Sequence, residues 1–221
     1  MLKRFLFVAI TFAILACNSD DNINPLEEEV AVAEDVGFYA LKIGNSYSYL
    51  GYKRDGVLAD DLMELNGIEY SLTITDTAII DGEKYFERTF FTTGNDSDSS
   101  VFPLNGESID YVRDSIGYLI NSDGEILFSQ TNPADYLITD QDWGDLFGVF
   151  NSEVVDIEAP AGTFSCYGNT LYAILTDTTE PAPGRAKRFY SDGIGFVTEH
   201  MGGVSNPVHI WETRLASYSV D

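Results

Sequence analysis

The residues able to do chemistry are few, and their spacing matches no familiar catalytic pattern. His200 and His209 are the two histidines of the 221-residue chain. Neither lies near a Gly-x-Ser-x-Gly elbow or within a His-Glu-x-x-His helix. Both fall in the last two expected strands, where a paired or half-buried structural role fits better than catalysis or metal ligation. Gly193-Ile194-Gly195 lacks the third glycine and the following helix of a phosphate loop. Asp96 with Asp98, and Asp140 with Asp142 and Asp145, gather oxygen ligands of the kind calcium takes, but Gly144 precedes Asp145 where an EF-hand needs glycine after its third ligand. These read as solvated acidic loops, and no metal or cofactor is expected. The acids do set the overall charge: 36 Asp and Glu against 12 Lys and Arg give a formal net charge of −24. A nucleic acid or a bare anionic membrane surface would be repelled.

Whatever site exists must be positioned by strands. Hydrophobic residues at 44% and charged residues at 22% are ordinary for a folded domain. Beyond Gly37 the periodicity is two, with aromatic and β-branched residues alternating against polar ones. Strands are expected over 46–53, 69–80, 84–92, 108–114, 117–121, 125–130, 152–157, 163–167, 170–176, 186–190, 194–200 and 208–220. Asp81-Gly82, Asp123-Gly124 and Ser115 to Gly117 suit tight turns with positive φ, and no link is long enough for a parallel crossover. The fold class is therefore all-β and antiparallel, with a β-sandwich as one possible arrangement. One short helix is expected between Pro133 and Phe150, with Asn132 as its cap and Pro133 at its first position. The segments 94–100 and 178–184 read as irregular loops.

The first residues carry a different signal. Lys3 and Arg4 precede an apolar run from Phe5 to Ala16, broken only by Thr11, which is the charged start and short core of an export signal. Twelve residues are too few for a permanent span. The run ends Ile14-Leu15-Ala16-Cys17, which resembles the lipobox of bacterial lipoproteins. That resemblance implies a signal peptide over 1–16 and a diacylglycerol on Cys17, so the chain would be held to the outer membrane by lipid. Asn18-Ser19-Asp20-Asp21 is similar to the acidic signal that sends some lipoproteins of one Gram-negative phylum to the cell surface. From 17 to 37 the chain carries seven acidic residues and no Lys or Arg, the composition of an extended tether. A single β domain over 38–221 follows. Asp76-Thr77-Ala78, Asp114-Ser115-Ile116 and Asp177-Thr178-Thr179 resemble periplasmic O-glycosylation acceptors, which makes Thr77, Ser115 and Thr178 candidate sites. With Cys17 taken by lipid, Cys166 has no disulfide partner. It shares a strand face with Phe164 and reads as a buried free thiol.

Two Trp, thirteen Tyr and fourteen Phe are more aromatic side chains than a sheet of this size must bury, and only Phe5, Phe7 and Phe12 belong to the export signal. Tyr47, Tyr49, Tyr111, Tyr118, Trp143 and Trp211 are the candidates for a sugar-stacking surface or the wall of an apolar cavity. Arg185, Lys187 and Arg188 concentrate positive charge within four residues, as an edge strand guarded against aggregation would.

Three stretches also share a resemblance: Tyr39 to Tyr49 with its Leu41, Gly44 and Asn45, Pro160 to Cys166, and Phe189 to Val197. Together they are similar to landmarks of a loose set of surface lipoproteins without assigned activity, with Tyr47 standing where Trp is usual. The resemblance implies a curved antiparallel sheet or half-barrel with a concave apolar face. The expectation is a lipid-anchored, surface-exposed binding module for an apolar or glycan ligand, without catalysis. The alternative is a structural or accessory subunit docking onto an outer-membrane protein complex through a sheet edge. An enzyme would need only two converging carboxylates, and the chain has many, but no signature selects them.

Overall fold

The computed structural model of the chain describes residues 37–221 except 57, 59, 60 and 98. The expected signal peptide over 1–16, Cys17, Asn18 to Asp21 and the expected tether before Gly37 lie outside the described residues. No helix among the described residues is long and apolar enough to cross a membrane.

Twelve strands follow one another: β1 (Ser46–Arg54), β2 (Met63–Ile80), β3 (Glu83–Thr93), β4 (Gly106–Ser115), β5 (Tyr118–Asn121), β6 (Ile126–Ser129), β7 (Tyr136–Gln141), β8 (Gly144–Ala159), β9 (Gly162–Leu175), β10 (Ala186–Ser191), β11 (Gly195–Met201) and β12 (Trp211–Ser219). Alternation drives them. In β2, Ile68, Tyr70, Leu72 and Ile74 are buried while Glu69, Ser71 and Thr75 face water. Asp81-Gly82 closes its hairpin with φ of 51° and 85°, the paired positive values of a type I′ turn.

All twelve belong to one antiparallel sheet ordered β6-β5-β4-β3-β2-β1-β12-β11-β10-β9-β8-β7. Register slips at Ser48/Tyr49, Leu50/Tyr52, Ile74/Asp76 and Asn151/Val155 mark bulges. Each bends its strand and tightens the twist, and together they roll the sheet into a nearly closed barrel. The seam lies between β6 and β7, consecutive in the chain but at opposite ends of the strand order. Side chains stitch it: Asn169 Nδ2 donates to Ser129 O at 3.2 Å, Arg188 Nη1 donates to Leu127 O at 3.1 Å, and the Tyr118 and Tyr136 rings meet edge to face.

Two expectations are corrected here. The helix between Pro133 and Phe150 is absent: β7 and the first half of β8 occupy that stretch. Asn132 Oδ1 accepts from the Ala134 amide at 2.9 Å in a local turn and caps nothing. Tyr136 and Ile138 are buried on either side of exposed Leu137, a period of two too short to outweigh the cap-like Asn-Pro pair. Nor is the strand bearing Lys187 and Arg188 an edge, because β10 is hydrogen-bonded to β9 and β11 on its two sides, and Arg185 lies in the connection before it.

The two ends of the barrel differ. Strand alternation puts the chain entry at Gly37 to Asn45 on the same end as the tight turns at 81–82, 116–117, 160–161 and 192–194. The longer connections, 55–62, 94–105, 176–185 and 202–210, share the other end. Phe38, Tyr39 and Ala40 are buried and plug the tight-turn end, with Tyr39 Oη donating to Gly117 O at 2.7 Å. Asn45 holds the plug, donating from Nδ2 to Ala40 O at 2.9 Å and accepting the Asp221 amide at Oδ1. Gly195, at φ 89°, lies so close that a Cβ there would stand 3.0 Å from Tyr39 O. The stretches 39–49 and 189–197 therefore meet in the plug.

Candidate functional site

Inside the barrel a tyrosine-walled cavity of about 260 Å³ is lined by β1, β2, β3, β4, β10 and β11 and by the β5–β6 turn. Tyr49 stacks on Tyr70 with centroids 4.9 Å apart and lies 5.3 Å from the Phe196 ring, to whose backbone carbonyl its hydroxyl donates at 3.0 Å. Tyr190 lies 5.5 Å from the same Phe196 ring. Burial raises the hydroxyl pKa values of Tyr49 and Tyr70 well above the ordinary range and raises that of Tyr190, so all three are neutral at physiological pH.

Two ion pairs share this wall. Arg88 grips Asp110 with both ends of its fork, Nε to Oδ1 at 2.7 Å and Nη2 to Oδ2 at 2.6 Å. Arg188 donates from Nε to Glu199 Oε1 at 2.5 Å and from Nη1 to the carbonyl of Leu127 across the seam. Burial alone would lower the guanidinium pKa values, but Asp110 and Glu199 more than offset it, so both are raised. The wall thus carries two arginines, two carboxylates committed to them, and a third carboxylate, Asp123, exposed at the β5–β6 turn. Neither Asp110 nor Glu199 faces the cavity as a free acid.

A second cavity of about 450 Å³ adjoins the first toward the loop end and shares Arg188 and Glu199 with it. Its remaining wall is largely apolar, from Trp143, Leu146, Leu171, Ala173, Met201 and Val204. The Arg188–Glu199 pair is a polar partition between an aromatic chamber and an apolar vestibule.

The six aromatic candidates from the sequence do not converge on one place. Tyr49 lines the inner chamber and Trp143 the vestibule. Tyr47 is buried in the core with Leu72, Phe164 and Leu215. Tyr111 donates to Glu87 Oε2 at 3.2 Å, Tyr118 packs on Tyr136 at the seam, and Trp211 is half-buried opposite Lys53 and Met201. Of the cavity residues, Tyr70 and Arg88 had no sequence signal of their own, while Arg188 was read as part of a guarded strand edge and Tyr190 as part of the 189–197 stretch. A usable signal existed, since Arg88 shares its strand phase with Phe90 and Arg188 shares its phase with Tyr190, each a charge in the apolar register of a strand.

Of the glycosylation candidates, Thr178 is exposed in a loop, whereas Thr77 and Ser115 are half-buried in strands. Cys166 is buried and unpaired, its thiol pushed up to about 12 by burial, and Phe164 and Val197 belong to the same core cluster.

No family model and no curated protein matches the chain. Among solved structures it resembles a protein from Bacteroides fragilis assigned as exported, with YmcC-like fold: TM-score 0.53 and 12% identity over 83% of this chain and 99% of that one. A protein from Parabacteroides distasonis assigned as a lipoprotein aligns with TM-score 0.49 and 13% identity, over 83% of this chain and 98% of that one. At such identity the first likeness speaks to architecture, and the chain shares the overall fold of that Bacteroides fragilis protein.

Proposed function

We propose that the protein is a lipid-anchored binding module of the cell surface that holds a neutral, ring-shaped polar ligand, a glycan unit, inside the barrel, and that it catalyses nothing. The observation that carries this reading is the pairing of tyrosine faces with two charge-balanced Arg–carboxylate pairs on one cavity wall. Aromatic faces stack on sugar rings, and fixed donors and acceptors match hydroxyls. A carrier of purely apolar ligands would gain nothing from two partly shielded ion pairs in its wall. Both arginines of the inner chamber are already held by carboxylates, which leaves no unmatched cation there for an acidic ligand. The cavities lie toward the loop end of the barrel.

The alternative of docking through a sheet edge has less support, because the edges β6 and β7 face each other across a stitched seam. Surface placement rests on Asn18 to Asp21: replacing Asp20 and Asp21 by Ala should abolish protease accessibility on intact cells, and unchanged accessibility would refute it. The ligand class is tested by printing neutral, acidic and lipidated glycans on one array and probing with the purified protein and with Tyr190→Leu. The reading predicts retention on neutral glycans that the variant loses. Retention on lipid tails alone, or equal retention by the variant, would contradict it.

A further inference from the structure

The sheet face opposite the barrel interior carries a second polar cluster. His200 follows Glu199 in β11, so the two side chains leave the strand on opposite faces. In the β11–β12 ladder His200 stands directly across from Glu212. His209, from the connection between those strands, lies back over them, its ring stacked on that of His200 at 4.9 Å and 17°. A ligand atom of each residue lies within 4.8 Å of the other two. We propose that His200, His209 and Glu212 form a binding site for a divalent transition metal of the zinc class, which the ligand set of two imidazoles and one carboxylate suits.

Hydrogen-bond bookkeeping supports this. His209 Nε2 lies 2.7 Å from Glu212 Oε1, an acceptor, and 3.0 Å from Arg54 Nη2, a donor. A protonated Nε2 satisfies the glutamate and opposes the arginine; a bare Nε2 does the reverse, so neither tautomer satisfies both neighbours. A cation on the bare nitrogen, shared with Oε1, removes the conflict. Arg54 can yield Nη2, because Nε on the His209 carbonyl at 2.9 Å and Nη1 on the Asp61 carbonyl at 2.6 Å keep it in place. Glu212 is already aimed: Arg214 Nε holds Oε2 at 2.6 Å and leaves Oε1 toward the histidines. Tetrahedral zinc would set the ligand atoms about 3.3 Å apart with both imidazole lone pairs converging on it, so one ring must turn out of the stack to bind. Two bordering arginines hold the expected affinity to the order of micromolar rather than that of a structural zinc, and the fold does not depend on the metal.

The test is calorimetric titration of ZnCl2, with MgCl2 as the hard-cation control, into the purified EDTA-treated protein and into His200→Gln and His209→Gln. One equivalent of zinc should bind, raising the melting temperature by about 5–10 °C in excess metal, with no response to magnesium. Each variant, folded by far-ultraviolet circular dichroism, should lose at least about tenfold in affinity. His209 sits in a connection and is half-buried, so His209→Gln carries the test if the β11 variant fails to fold. Absence of saturable zinc binding, or binding undiminished in His209→Gln, would overturn the proposal.

Discussion

Removing Arg188 and its partner Glu199 together should cost less than the two single losses added. Arg188→Met deletes the donor to Glu199 and the donor to the Leu127 carbonyl that helps close the seam. An orphaned, fully buried charge costs about 3–5 kcal/mol. The side chains here are 26% and 15% exposed and border two cavities, so water softens the penalty. Adding about 1 kcal/mol for the lost bond to the carbonyl, a net loss of about 2–4 kcal/mol is expected. In a domain of this size that lowers the melting temperature by roughly 5–15 °C. Glu199→Leu leaves the Arg188 cation unpaired in the same place and should cost a similar amount. The double variant Arg188→Met/Glu199→Leu leaves no orphan charge and should lose less than the sum of the singles by about 2 kcal/mol. Urea unfolding followed by tryptophan fluorescence measures all four corners of the cycle. Singles within about 0.5 kcal/mol of the parent, or a double equal to the sum, would show that the pair is solvated and that the partition is no structural element.

Three further outcomes follow from local geometry. Ile116 takes φ 55° at the first position of the β4–β5 turn with its side chain 93% exposed. Ile116→Asn should therefore raise stability by about 1 kcal/mol, and a loss in thermal melts would refute the strain. A Cβ at Gly148 would meet the Tyr136 ring of the neighbouring strand at 2.5 Å, so Gly148→Ala should cost about 1–3 kcal/mol and loosen the seam, and an unaltered melt would contradict that packing. Burial raises Tyr39, Tyr47, Tyr49, Tyr70, Tyr136 and Tyr190 above their unfolded value. Their stabilisation is complete below about pH 10 and is lost as pH climbs toward the folded values. Tyrosinate absorbance should thus show an exposed fraction titrating near pH 10 and a second step coincident with unfolding. A single smooth titration of all thirteen tyrosines in a folded protein would be inconsistent with this.

The sequence and the fold agree where one physical signal dominates. Alternation and Asp-Gly turns located β1, β3 to β6 and β10 to β12 to within a few residues, because inward and outward positions differ in polarity all along those strands. By contrast, β2 starts at Met63 rather than at 69, and β9 runs unbroken through the two strands expected over 163–167 and 170–176. The helix expected near Pro133 failed because two local signals competed: Asn132-Pro133 mimics a helix start, and Gly144 and Gly148 interrupt the alternation of β8 where Tyr136 covers the second glycine. Barrel closure was beyond local reading. It rests on bulges and on bonds such as Asn169 to Ser129, forty residues apart. The cavity shared that fate, since Arg88 and Arg188 meet on one wall only after the sheet has rolled. Tyr39 to Tyr49 and Phe189 to Val197 looked like landmarks of a family, and their visible work is structural: Asn45 and Gly195 build the plug at the tight-turn end.

Native mass spectrometry of the protein released gently from its own cells, beside a denatured aliquot, tests the binding reading most directly. The account predicts a reproducible excess mass equal to a neutral glycan, lost on denaturation and absent from Tyr190→Leu. A bare chain after gentle release, or an excess mass that Tyr190→Leu retains, would contradict it.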